Sequence, residues 1–195
     1  MVTGPIDRVS ALPPVAFPIP LLTPRLRVRR FTLSDVDSIY RLHGDPLVSR
    51  YMGGTLTREQ SLDNLRALIV RVEDTGYGPF AVERIDDAEL IGWSGVQQLP
   101  GYPMIEIIFA FETGSWGHGY ATEVSAALLR QCFSELGLHE VVATVDPRNL
   151  ASIRVLNKLG FESVGPITHK LNHAQGILYR VTPERFGRYV AGPQS

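Results

Sequence analysis

Residues Gly114–Glu123 read GSWGHGYATE, with three glycines set around a Trp and a His. Before them lies an apolar run, MIEIIFAFE at residues 104–112. After them Val124, Leu128, Cys132 and Leu136 recur every fourth position. The order is therefore strand, glycine-rich turn, helix. Glycine loses more conformational freedom on folding than any other residue, so its concentration at a helix start needs a reason. Anion binding is one: free backbone N–H groups and the helix dipole favour negative charge there, and missing Cβ atoms let a phosphate approach. A P-loop would need Lys and Ser/Thr after its last glycine, where Tyr120-Ala121 stand. A Rossmann fingerprint would need Gly or Ala three residues beyond Gly119, where Thr122 stands, and a parallel setting that the run before it does not suggest. A third reading is a pyrophosphate site for coenzyme A.

Working outward, the chain has 195 residues, 44% of them hydrophobic and 20% charged, which is enough to bury a sizeable core. The expectation is a single domain over 21–190 preceded by a Pro-rich arm over 1–20. The net charge of −1 offers no basic footprint for nucleic acid. No apolar run approaches the ~20 residues of a membrane span, and the prolines near the start break up any signal-peptide core. One cysteine, Cys132, cannot form an internal disulfide, so a cytoplasmic setting is expected.

Pro5, Pro13, Pro14, Pro18, Pro20 and Pro24 make the start an extended arm. Its Val15, Phe17, Ile19, Leu21 and Leu22 call for burial, on the domain or on a second copy in a homodimer. RLRVRRF then alternates, with Leu26 and Val28 on one face. Arg25, Arg27 and Arg29 fall on the other, read as a solvated face rather than a phosphate site. Ser34 is placed to cap a helix through Ile39 and Leu42. Thr57 and Gln60 match a capping box before Leu62, Leu65, Ile69 and Val72. PFAVERI and ELIGWSGVQQL flank Asp86-Asp87 as a hairpin. The glycine-led helix ends at Gly137, and EVVATV, a helix over NLASIRVLNKLG and a strand at GILYRV follow. The fold class expected is mixed α/β (α+β) with a largely antiparallel central sheet flanked by helices.

The segments IEIIFAFETGSWGHGYATEVSAALL and VDPRNLASIRVLNKLGF resemble the GCN5-related N-acetyltransferase (GNAT) superfamily. They are most similar to the branch that acetylates N-termini of ribosomal proteins, as is LLTPRLRVRRFTLSDVDSIYRLHGDPLVSRYMGG. The likeness runs from about Leu21 to Val181. The family's Arg/Gln-x-x-Gly-x-Gly/Ala motif falls on Trp116, Gly117, His118, Gly119, Tyr120 and Ala121, with Trp116 departing from the Arg/Gln position. The resemblance implies acetyl-CoA as cosubstrate, bound in the splay between two central strands. Phe109 and Phe111 would lend backbone hydrogen bonds to its pantetheine arm, and an N–H near Ile108 or Phe109 would face the developing oxyanion. It also implies Asn149 against the coenzyme A arm, and Ser152 as proton donor to the thiolate in place of a tyrosine whose position holds Leu156. From the residues alone, Asn149 is also a good helix N-cap, and a bound water is an alternative donor.

Acetyl transfer needs an unprotonated amine. Glu106 shares strand parity with Met104, Ile108 and Ala110, so an apolar face is expected to raise its pKa and suit it to act as general base. Glu83, Glu112 and Asp146 are the alternatives. Cys132 reads as core, His118 as exposed and within reach of a phosphate. His169 and His173 lack the HExxH pattern and a third ligand, so no metal is expected. The function expected is acetyl transfer to a primary amine, a protein N-terminus or a small molecule of the aminoglycoside or polyamine kind, by direct attack. The reading from another class is a non-catalytic acyl-CoA-binding module.

Overall fold

The computed structural model describes residues 16–169 and 173–190. Eight strands form a mostly antiparallel sheet flanked by helices, and the described chain divides into two compact units. One holds residues 16–96 and 108–127, the other 97–107, 128–169 and 173–190.

In the first unit, β1 (Leu21–Leu22), β2 (Leu26–Arg29), β3 (Gly78–Arg84) and β4 (Leu90–Gln98) pair antiparallel in chain order. Leu26 and Val28 are fully buried on β2, as alternation predicts. β4 and the following β5 (Ile105–Phe111) are neighbours, and both continue into the second unit. Helices α1 (Val36–Gly44), α2 (Pro46–Ser49) and α3 (Arg58–Thr75) precede β3. Their apolar faces build clusters with the sheet, one of Phe31, Ile39, Leu65, Ala81 and Leu90, another of Leu42, Val48 and Ala110. The α3 capping box forms as read: Thr57 N donates to Gln60 Oε1 at 2.8 Å and Gln60 N to Thr57 Oγ1 at 3.2 Å. The start of α1 differs from expectation. A 3-10 turn, Leu33–Asp35, precedes it, and Thr32 rather than Ser34 makes the cap, its N–H donating to Asp35 Oδ2 at 2.8 Å. Arg29 grips that same carboxylate and Glu83, which corrects its reading as a solvated residue. Arg27 is exposed as expected.

Of the arm, residues 1–15, including Val15, lie outside the described residues. Phe17 is 2% exposed, edge-on to Tyr77 and tilted against Phe80. Its N–H donates to the Gly76 carbonyl at 3.1 Å.

The second unit holds the end of β4, the start of β5, then β6 (Val141–Val145), β8 (Gln175–Val181) and β7 (Glu162–Thr168). β5 and β6 are parallel, with Glu106 opposite Val142; the rest of this half is antiparallel. Leu99, Met104, Val142, Ile167 and Leu178 form its core cluster. Helix α4 (Tyr120–Ser134) follows the glycine turn and begins in the first unit; α5 (Leu150–Lys158) and α6 (Pro183–Val190) belong to the second. Cys132 is fully buried, and burial pushes its thiol up to about 12, which leaves it a core side chain.

Candidate functional site

The first group of candidate residues is the turn between β5 and α4. A 3-10 turn, Thr113–Ser115, uses the N–H groups of Ser115 and Trp116 on the carbonyls of Glu112 and Thr113. Beyond it the backbone opens. Gly117 and Gly119 both have φ +82°, a region that L side chains avoid. Among the described residues, a Cβ added to Gly117 would meet no heavy atom within 4 Å beyond its own chain neighbours. The earliest helical bond of α4 is Glu123 N to Gly119 O at 3.0 Å, so the preceding N–H groups have no intrahelical acceptor. Open space at Gly117, two left-handed glycines and first-turn amides that lack an intrahelical acceptor fit a phosphate. Trp116, 47% exposed, donates its indole N–H to the Phe111 carbonyl at 2.8 Å and ties the turn to the end of β5. His118 is exposed; its Nδ1 lies 3.0 Å from the Trp116 carbonyl and its ring stacks on Tyr120.

β5 is buried at nearly every position, but Ile108 and Phe109 are only half-buried. Ser94 Oγ, on β4, donates to the Ile108 carbonyl at 3.0 Å.

The second group lies on β5, β6 and α5. Glu106 is 4% exposed, and burial raises its pKa above the ordinary carboxylate range. Two hydrogen bonds pull the other way: Gln97 Nε2 donates to Oε1 at 2.9 Å and Thr144 Oγ1 to Oε2 at 3.3 Å. The surroundings are thus less apolar than strand parity implied. Gln97 and Thr144 went unread because their approach depends on the β4–β5–β6 order. Among the other acids, Glu83 is held by Arg29 and Asp146 by Arg148. Glu112 is also raised by burial, with Arg41 at 3.5 Å opposing the shift.

Asn149 caps α5: its Oδ1 accepts from Ser152 N at 3.1 Å. Ser152 is half-buried one turn into the helix, and Leu156 is core. His169 follows β7, and His173 has φ +56°.

Residues 25–162 match the family model for an acetyltransferase (GNAT) domain. YoaA of Bacillus subtilis, an uncharacterised N-acetyltransferase, is 32% identical over 152 residues, 76% of this chain and 85% of that protein. A GNAT-family acetyltransferase structure from Bacillus anthracis is 27% identical with a TM-score of 0.72, covering 84% of this chain and 98% of that one. Mycobacterium smegmatis RimJ in complex with CoA-disulfide shares the fold, at a TM-score of 0.66 and 22% identity over 87% of this chain and 85% of that one. By fold, turn geometry and sequence, the chain belongs to the GNAT acetyltransferase family.

Proposed function

We propose that this protein transfers an acetyl group from acetyl-CoA to a primary amine by direct attack, with no acyl-enzyme. The observation that carries the reading is the turn at Gly117–Gly119, with its two left-handed glycines and open space at Gly117 ahead of a helix start. Residues Trp116–Ala121 would hold the pyrophosphate through backbone N–H groups. The backbone at Phe109 and Phe111 would take the pantetheine arm, with the Asn149 amide against it. Acetyl-CoA supplies an activated thioester carbonyl. Glu106 would accept a proton from the incoming ammonium, directly or through water; each of its oxygens accepts one hydrogen bond and keeps a second acceptor site. Burial makes Glu106 a stronger base than a solvent-exposed carboxylate, which suits it to take up a proton. Ser152 would give a proton to the departing thiolate.

Calorimetric titration with acetyl-CoA is the direct test, and saturable one-to-one binding is expected. No binding would end the reading. Thiol release with acetyl-CoA and a panel of N-terminal peptides, polyamines and aminoglycosides then assigns the acceptor. Binding without release on any amine would favour an acyl-CoA-binding module instead.

A further inference from the structure

Arg25 immediately precedes β2 and belongs to the same unit as the glycine turn. Its side chain lies against that turn. Nε donates to Glu123 Oε2 at 2.7 Å, and Nη2 is 2.5 Å from the same oxygen. The Arg25 N–H and Thr23 Oγ1 donate to Glu123 Oε1 at 3.0 and 2.6 Å. Nη1 donates to the His118 carbonyl at 3.0 Å, within the turn itself. The guanidinium carbon stands 4.7 Å from the centroid of the Tyr120 ring. These contacts leave an N–H on each terminal nitrogen, and the side chain is 49% exposed. Nη2 lies 3.7 Å from the point a Gly119 Cβ would occupy.

An anion seated against Gly119 therefore meets this guanidinium. We propose that Arg25 is a phosphate-contacting residue of the acyl-CoA cradle, supplying the cation that Trp116 does not supply from within the turn. The inference rests on the donor reading above. A planar fork suits phosphate oxygens, and one already anchored by Glu123, His118 and Tyr120 loses little freedom on binding. Glu123 does not oppose the anion strongly, since both its oxygens are turned to Thr23 and Arg25. Burial would raise the Glu123 pKa, but those hydrogen bonds hold it below its ordinary value, so the anchor stays ionised.

The test uses the full chain and two ligands. Coenzyme A carries the phosphates; S-acetylpantetheine carries the acyl arm without them and is followed by ligand-detected NMR. Arg25→Gln is expected to weaken coenzyme A about 10- to 100-fold, the worth of a charge-assisted hydrogen bond. S-acetylpantetheine binding should not change, and the salt dependence of coenzyme A binding should flatten. Equal coenzyme A affinity in the variant overturns the inference and leaves the donor reading intact. Proportional loss of both ligands also overturns it, because Arg25 would then act through the shape of the turn. Wild-type protein that binds no coenzyme A removes the donor reading itself. Where Arg25→Gln does not fold, Arg25→Lys carries the test. It keeps the charge without the fork, so a smaller loss on coenzyme A alone is expected, and no selective loss overturns the inference.

Discussion

Glu106 shows how one side chain can carry opposed physical demands. Its burial disfavours charge, while Gln97 and Thr144 stabilise it. If it relays the amine proton, Glu106→Gln should lower the rate about 10²- to 10⁴-fold, with coenzyme A affinity nearly unchanged. Gln97→Met removes a bond that favours the carboxylate, so the acid limb of the pH–rate profile should move to higher pH. A limb that stays in place would dissociate Glu106 from that profile. The sign for stability follows from the same shift. A carboxyl whose folded pKa is raised favours the folded state below its unfolded pKa, and that contribution is lost as pH rises through the folded value. Glu106→Gln should therefore melt higher than wild type near neutral pH, measured by calorimetry across pH, and match it more closely in acid. Ser152→Ala should slow transfer about tenfold or more if the hydroxyl donates the proton; equal single-turnover rates would assign that step to water. Ser152 N remains satisfied by Asn149 in either case, so the helix cap is not at issue.

At the level of elements, the turn before α4 separates binding from stability. Gly117→Ala places a Cβ in open space but at φ +82°. The strain should cost about 1–2 kcal/mol in urea unfolding, while coenzyme A affinity should fall further because the methyl group stands in the concavity. An affinity loss no larger than the stability loss would take Gly117 out of the cradle. The elements legible in the sequence were those whose local signals agreed. The β2 alternation, the Thr57–Gln60 box, the α4 stripe and the Asn149 cap all formed where read. Those not read lacked such agreement. β7 carries Gly165 and Pro166 and buries only Ile167 fully, as an edge strand can. α6 has Gly187 inside a short span, although Thr182 followed by Pro183 was an available start signal. β1 and α2 are too short to show a period.

Across the whole molecule, the arm shows what sequence can request but not assign. The apolar content around Phe17 called for burial somewhere, and Phe17 is buried in its own chain, against Tyr77 and Phe80. Phe17→Ala should cost about 3–5 kcal/mol, read by chemical denaturation; a loss below 1 kcal/mol would mean the segment docks without stabilising the fold. Sequence by itself determined the glycine turn and its helix, because torsional freedom, helix start and apolar period are local properties of consecutive residues. It also placed Glu106 on an apolar strand. Tertiary structure alone decided what faces these groups: Gln97 and Thr144 on Glu106, Ser94 on Ile108, Arg25 on the turn. Arg25 and Glu123 stand 98 positions apart. No periodicity encodes such a pair, because their meeting depends on how strands and helices stack, and that is settled by burial of the whole apolar surface rather than by any stretch of chain.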